Sequence, residues 1–360
     1  MSLLPDAERF RRLVDGTTGG PAATAARLGL AVLAVPYAAA MRLRNAAFDH
    51  GLLATHAAAA PVISVGNLTL GGTGKTPLVA WLARVLAAAG RRPAIVSRGY
   101  AARAGETSDE AAELGILLPD VPHRANRDRV AAARVAAADG ADAIILDDGF
   151  QHRRLRRDLD IVAIDATDPF GCDRLFPRGL LREPPRSLAR AQAVVLTRAS
   201  SVSELRRDEI RRAVLAAAGR DGGGPRALVW AEATHAAVGL RDWNGQTRSL
   251  ADLAGRRVFA FAAIGNPAAF RRTLAEAGAD VTGFRAFADH HAYTTADLEA
   301  ICALAQSAGA EEVLTTLKDL VKIRRPTLGP LPLAAVEIAL DVGMGRAALE
   351  AAVIAAVRGH

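Results

Sequence analysis

The segment Thr69-Leu70-Gly71-Gly72-Thr73-Gly74-Lys75-Thr76 constrains the fold of this 360-residue chain more than any other. It follows the apolar run Val62–Val65 and precedes the alanine-rich stretch Leu78–Ala89, so it reads as a glycine-rich turn between a buried strand and a helix. Glycines let backbone N–H groups turn inward around a β-phosphate, and the helix N-terminus adds its positive dipole end. Lys75 reaches the β- and γ-oxygens in such a loop, and the Thr76 hydroxyl is placed to ligate Mg²⁺. Thr69, Gly71, Gly72, Thr73, Gly74, Lys75 and Thr76 are therefore the nucleotide-binding candidates. Thr69 stands where the usual pattern has glycine, which leaves the path of the loop open at that point.

Around this loop the sequence alternates in the manner of an α/β protein with a mostly parallel sheet. Short apolar runs at Val62–Val65, Ala94–Ser97, Ala143–Leu146, Ile161–Ile164 and Ala193–Thr197 read as strands. Helices are expected over Leu78–Ala89 and Arg127–Ala138, the latter capped by Asn126. The stretch Gly219–Pro225 (GRDGGGP) reads as a linker. Beyond it a second α/β pattern has strands near Leu228–Ala231, Val258–Ala262, Val313–Thr316 and Ala334–Ile338, with helices near Ala268–Ala277 and Thr295–Ala308. The expected organisation is an N-terminal segment 1–55, a phosphate-loop domain 56–220, a smaller α/β domain 226–345 and a C-terminal helix 346–360.

A second chemical signal follows the strand Ala143–Leu146: Asp147-Asp148-Gly149-Phe150-Gln151-His152. A carboxylate at the C-terminal end of a parallel strand is where phosphate-loop enzymes hold Mg²⁺. Asp147 and Asp148 join Thr76 as metal candidates, and ATP with Mg²⁺ is the cofactor set. No N-K-x-D guanine motif is present, and Leu70 stands where partition-type ATPases open the loop with lysine. Cys172 and Cys302 lie far apart and offer neither a disulfide framework nor a metal spacing.

Charge narrows the partners. The formal net charge is +7, yet only Lys75, Lys318 and Lys322 among the 45 basic residues are lysine. Arginine and lysine are not interchangeable, so positions that stay lysine are candidates for sites needing a slim ammonium. Lys322 lies outside any motif. Basic residues are spread along the chain and aromatics are 4%, which leaves no stacking platform for nucleic acid. An anionic membrane or a phosphorylated lipid accounts for the charge as well. No secretory signal opens the chain. The apolar run Leu28–Met41, bounded by Arg27 and Arg42 and interrupted by Pro36, reads as a buried core helix or as a helix lying in a membrane interface, with a membrane-spanning helix the third and less favoured reading.

These motifs together resemble the tetraacyldisaccharide 4′-kinases of lipid A biosynthesis. Val65-Gly66-Asn67-Leu68 leading into Gly71 through Pro77 is similar to that family's opening motif, followed by Ser97-Arg98-Gly99-Tyr100. Asp147 to His152, continuing through Arg153-Arg154-Leu155 to Asp158-Leu159-Asp160, resembles its most distinctive signature. Pro177-Arg178-Gly179, Leu181-Arg182-Glu183-Pro184, Ile264-Gly265-Asn266-Pro267 and Phe287-Ala288-Asp289-His290-His291 also fit, so the likeness covers about residues 20–345. Two departures stand out. Ser108-Asp109-Glu110-Ala111 replaces a Gly-Asp-Glu-Pro segment, and Thr316-Leu317-Lys318-Asp319 lacks the family's glutamate.

The resemblance implies a phosphate-loop α/β domain, a smaller α/β domain and a membrane-associated N-terminal helix. It implies transfer of the ATP γ-phosphoryl group to the 4′-hydroxyl of an acylated glucosamine disaccharide 1-phosphate at the cytoplasmic face of the inner membrane. No protein partner is implied, and the attachment would be peripheral or monotopic. Lys75 would act on the phosphates, and the family's aspartate–histidine base pair maps onto Asp109 and His290, brought together by domain closure. Arg98, Arg178 and Arg182 become candidates to face the acceptor's 1-phosphate or the nucleotide. The competing class is a phosphate-loop ATPase switch that acts on a protein partner and passes the phosphoryl group to water.

Overall fold

The computed structural model describes residues 7–99, 109–220, 227–265, 267–288 and 291–358. His290, with Asp289, Tyr100, Ser108, Asn266 and most of the expected linker, lies outside the described residues. The chain divides into two compact units that interleave in sequence. The first comprises residues 1–98, 121–234 and 342–360, and the second residues 99–120 and 235–341.

The first unit carries strands β1 (Val62–Asn67), β2 (Pro93–Ser97), β3 (His123–Ala125), β4 (Ala143–Asp147), β5 (Leu159–Asp165), β6 (Ala193–Thr197) and the opening of β7 (Val229–Asp242). They run parallel in the order β7-β6-β5-β1-β4-β2-β3. Every residue of β1, β2, β4, β5 and β6 is buried, which is why each reads as a continuous apolar run rather than an alternation. Helices α1 (Ala7–Val14), α2 (Pro21–Asp49), α3 (Lys75–Ala88), α5 (Arg129–Ala138), α6 (Glu204–Ala217) and α10 (Arg346–Arg358) belong to this unit. Ala94, Val96, Ile144 and Leu146 pack against Val130, Ala133 and Ala136 of α5. The cap of α5 is Asp128, whose carboxylate accepts from Val130 and Ala131 N–H, and not Asn126. Asn126 acts one step earlier, accepting from the Asp128 N–H at 2.9 Å.

The apolar N-terminal run lies within α2, whose 29 residues extend about 43 Å at ~1.5 Å per residue. Pro36 does not interrupt it: proline removes one backbone bond, and the helix-forming sequence on both sides carries the helix through. The core-helix reading is overturned. The most apolar stretch of α2 has no buried residue, and Leu28, Val32, Leu33 and Val35 are each more than half exposed. Its C-terminal half is tied down by polar contacts instead. Tyr37 donates to the Arg182 carbonyl (2.8 Å), Arg44 to the Gln151 carbonyl (2.6 Å) and Asn45 to the Glu183 carboxylate (3.1 Å).

In the second unit β9 (Arg257–Ala262), β10 (Asp280–Ala286), β11 (Glu312–Thr316) and β13 (Leu331–Val342) run parallel in the order β10-β9-β11-β13. The short strands β8 (Thr247–Arg248) and β12 (Thr327–Leu328) add antiparallel hairpin edges on β7 and β13. Helices α4 (Asp109–Leu117), α7 (Pro267–Glu276), α8 (Thr295–Ser307) and α9 (Leu317–Ile323) complete it, with α4 packed on α9. Thr294 and Asp297 close a capping box at the start of α8.

Candidate active site

In the first unit the phosphate loop leaves β1, and the Asp147–His152 loop leaves the neighbouring β4. Val65 and Asp147 are register partners, so both loops emerge from the C-terminal ends of adjacent parallel strands, the usual ligand end of such a sheet. Two glycines seat them together. A Cβ on Gly66 would come within 2.5 Å of Phe150 Cβ, and one on Gly149 within 2.6 Å of Ser64 Oγ. Gly71 (φ 108°) and Gly74 (φ 78°) take the left-handed backbone that turns the loop, with Gly74 at the N-cap of α3. Around Gly71 and Gly72 no atom stands within 4 Å of a built Cβ, the open side a phosphate needs.

Thr69, the departure from the common pattern, does not take a left-handed backbone. It is buried, bridges to Leu181, and its carbonyl accepts from Asn67 Nδ2 at 2.7 Å. Packing against the Leu180–Arg182 segment, rather than a flexible glycine, sets the entrance of the loop; Leu70 N–H donates to the Leu180 carbonyl at 2.7 Å. On the far side Thr197 Oγ1 donates to the Thr73 carbonyl (2.9 Å) and Arg198 to the Gly72 carbonyl (3.1 Å).

Lys75 Nζ lies 3.1 Å from Asn67 Oδ1 and 3.6 Å from Asp148 Oδ1. Arg182 grips the same carboxylate through two nitrogens, at 2.6 and 3.0 Å, and Arg129 donates to the Asp148 carbonyl at 2.9 Å. Burial alone would raise the Asp148 pKa, but the Arg182 hydrogen bonds and the charges of Lys75, Arg182 and Arg129 hold it down at about 2. Asp148 has φ 47°, and its N–H donates to Asp147 Oδ1 at 2.8 Å. His152 is held neutral, its pKa lowered to about 4 by burial and by the charges of Arg129, Arg154, Arg157 and Arg44.

The sequence reading assigned no role to Asn67, Gln151 or Arg129. Asn67 is fully buried at the end of β1, and its carbonyl accepts from Gln151 Nε2 at 2.9 Å. It therefore touches the phosphate loop, the Asp147–His152 loop and, at 3.4 Å, Arg182. Its place directly before the glycine-rich segment was the available signal. Arg182 pairs with the Asp148 carboxylate, while Arg178 donates to the Val14 carbonyl at 3.1 Å.

The metal candidates Thr76, Asp147 and Asp148 offer only hard oxygen atoms, from the first turn of α3, the last residue of β4 and the residue after it. Among the described residues no three His, Cys, Asp or Glu gather as a metal cage. That arrangement fits Mg²⁺, which takes one or two carboxylates and completes its shell with phosphate oxygens and water.

Asp109 opens α4 and is carried by the second unit, not by the unit of the phosphate loop as its position within 56–220 suggested. The cause is the packing of α4 on α9, where Lys322 Nζ stands 3.7 Å from Asp109 Oδ2. Asp109 thus shares its unit with residues 235–341. His291 pairs with Asp297 at 3.0 Å and stacks on Phe287. The thread of hydrogen bonds from Thr294 backbone and hydroxyl, with His291, lowers the Asp297 pKa to about 2.

The comparisons with known proteins cover nearly the whole chain. Residues 26–358 match the family model described as tetraacyldisaccharide-1-P 4′-kinase. The chain is 42% identical over 324 residues to a tetraacyldisaccharide 4′-kinase of Anaeromyxobacter sp. (strain K), covering 84% of this chain and 83% of that protein. A kinase of the same name from Geobacter metallireducens is 38% identical over 313 residues, 82% of this chain and 88% of its own. In structure the chain is similar to Aquifex aeolicus LpxK in complex with ATP, with a TM-score of 0.72, 28% identity, and coverage of 92% and 99% of the two chains. Motif, fold and relatives agree: the chain belongs to the tetraacyldisaccharide 4′-kinase family.

Proposed function

We propose that this protein, as a tetraacyldisaccharide 4′-kinase of lipid A biosynthesis, transfers the ATP γ-phosphoryl group to the 4′-hydroxyl of an acylated glucosamine disaccharide 1-phosphate, with Mg²⁺, at the cytoplasmic surface of the inner membrane. The observation that carries the reading is the convergence of Lys75 and Arg182 on Asp148 at the mouth of a glycine-rich loop. Phosphoryl transfer requires fixed cations and oxygen ligands around a phosphate far more than covalent chemistry.

The loop amides and Lys75 bind the β- and γ-phosphates, and the α3 N-terminus points at the same charge. Thr76 and Asp147 hold the metal, with Asp148 supporting it and Arg182 fixing Asp148. Bound Mg²⁺ supplies charge neutralisation on the phosphate oxygens. A sugar hydroxyl is a weak nucleophile at neutral pH, so a base must take its proton. Asp109 fills that role, with His290 orienting the carboxylate and stabilising it as the proton arrives. The exposed apolar residues of α2 lie against the lipid surface where an acylated acceptor resides, and the polar contacts of its C-terminal half keep the catalytic loops at that surface.

The deciding experiment supplies γ-labelled ATP and Mg²⁺ with a defined tetraacyl disaccharide 1-phosphate in detergent micelles. Label in the lipid, lost in Asp109→Asn by about 10²-fold or more, supports the reading. Release of label as inorganic phosphate without labelled lipid overturns it in favour of an ATPase switch.

A further inference from the structure

Lys322 is one of three lysines in a chain that otherwise uses arginine, and no sequence motif accounts for it. In the second unit its side chain is only 11% exposed, and its ammonium is shared. Nζ lies 3.3 Å from Asp319 Oδ1, 3.4 Å from the His291 carbonyl and 3.7 Å from Asp109 Oδ2. Asp319 is a fixed anchor. It is fully buried, and its other oxygen accepts from the Ala263 N–H at 2.9 Å and from Thr316 Oγ1 at 2.8 Å. The ring of Tyr293 closes another side, 6.0 Å from the ammonium. A cation tethered this way cannot follow a mobile partner, so a carboxylate that approaches it is held in place. Asp109, more than a third exposed on the first turn of α4, is that carboxylate.

We propose that Lys322 is a positioning residue for the phosphoryl-transfer reaction, fixing the Asp109 carboxylate where it accepts the sugar hydroxyl proton. The inference rests on the reading of Asp109 as the base. Arginine would serve the site poorly, because a planar fork cannot sit between two carboxylates and a carbonyl that converge on one point. The electrostatic need is real on this face. Asp109 shares it with Glu110 and Glu113 of α4 and with Asp319 of α9, against the cations Lys318 and Lys322. Burial, partly opposed by Lys318 and reinforced by Glu110, Asp319 and Asp109, pushes the Glu113 pKa up to about 7. The Lys322 ammonium offsets this crowding of like charge beside Asp109.

The test measures acceptor phosphorylation by the full-length protein from pH 4.5 to 9, in wild type, Lys322→Met, Lys322→Arg and Asp109→Asn, with thermal melting beside each. Lys322→Met is expected to move the acid limb of kcat/KM for the acceptor upward by about one pH unit and to lower kcat about tenfold, leaving KM for ATP within twofold. Lys322→Arg, which keeps a cation, is expected to restore the acid limb with only part of kcat. A purely structural lysine would lower the melting temperature without moving the acid limb. Should Lys322→Met not fold because Asp319 loses its counter-ion, Asp319→Asn/Lys322→Met removes the buried charge as well, and it is compared with Asp319→Asn alone. An acid limb and kcat equal to those of the matched parent overturn the proposal. Full turnover in Asp109→Asn removes the base itself and so the ground of this inference, whereas inactive Asp109→Asn beside an unshifted Lys322→Met overturns the role of Lys322 alone.

Discussion

Replacing Asn67 by alanine tests how the phosphate loop is held. The side chain is fully buried and makes three polar contacts: its amide nitrogen reaches the Thr69 carbonyl at 2.7 Å, and its oxygen accepts from Lys75 at 3.1 Å and from Arg182 at 3.4 Å. Alanine leaves the buried Thr69 carbonyl without that donor, a cost of about 1–3 kcal/mol to the fold. It also removes a hydrogen bond to a charged group, worth about 1.5–3 kcal/mol, from the lysine assigned to the γ-phosphate. If that bond orients Lys75 in the transition state, kcat/KM for ATP falls by about 10- to 150-fold. Asn67→Asp keeps the shape and the acceptor but sets a carboxylate against the ammonium and an oxygen in place of the amide donor against the Thr69 carbonyl, so its loss of activity should be at least as large. Labelled phosphate transfer at saturating acceptor gives kcat and KM for ATP, and melting curves separate the folded fraction. A folded Asn67→Ala protein with kcat/KM within twofold of wild type would refute the reasoning.

Two further outcomes follow from the same residues and surfaces. The Glu113 carboxyl has a folded pKa near 7 against an ordinary value of 4.5, so the folded state holds its proton more tightly and stability falls as pH rises from 4.5 through 7; Glu113→Gln should melt higher than wild type at pH 8 and flatten that slope. Leu28→Glu/Val32→Glu places charges on two exposed residues of α2, and melting temperature should stay within about 2 °C while flotation with anionic vesicles is reduced; unchanged flotation would remove this stripe from the membrane contact.

The identity of the chemistry was legible along the chain because it depends on local order. A strand, a glycine-rich turn and a helix carrying Lys75 and Thr76 must be contiguous for backbone amides to surround a phosphate, so that site is written in one stretch of residues. The parallel sheet was legible for a related reason: strands buried on both faces are continuous apolar runs, and β1, β4, β5 and β6 appear where those runs stand. Short or half-buried strands such as β3 and β10 carry no such run and went unread.

What only the tertiary structure decided is which distant side chains meet. Asn67, Arg129 and Arg182 come from three segments and meet at Lys75 and Asp148, with Gln151 on the Asn67 carbonyl; the register of β1 with β4 sets the two loops side by side. Whether α2 is core or surface depended on what packs against it, which composition alone leaves open because an apolar helix is equally suited to a protein interior and to lipid. Asp109 sits in the sequence between strands of the first unit, yet α4 packs on α9 in the second, and that contact gives Lys322 a partner more than 200 residues away in the chain. Three lysines could be counted in the sequence; that two of them stand beside carboxylates assigned to catalysis depends on long-range packing, which no local pattern encodes.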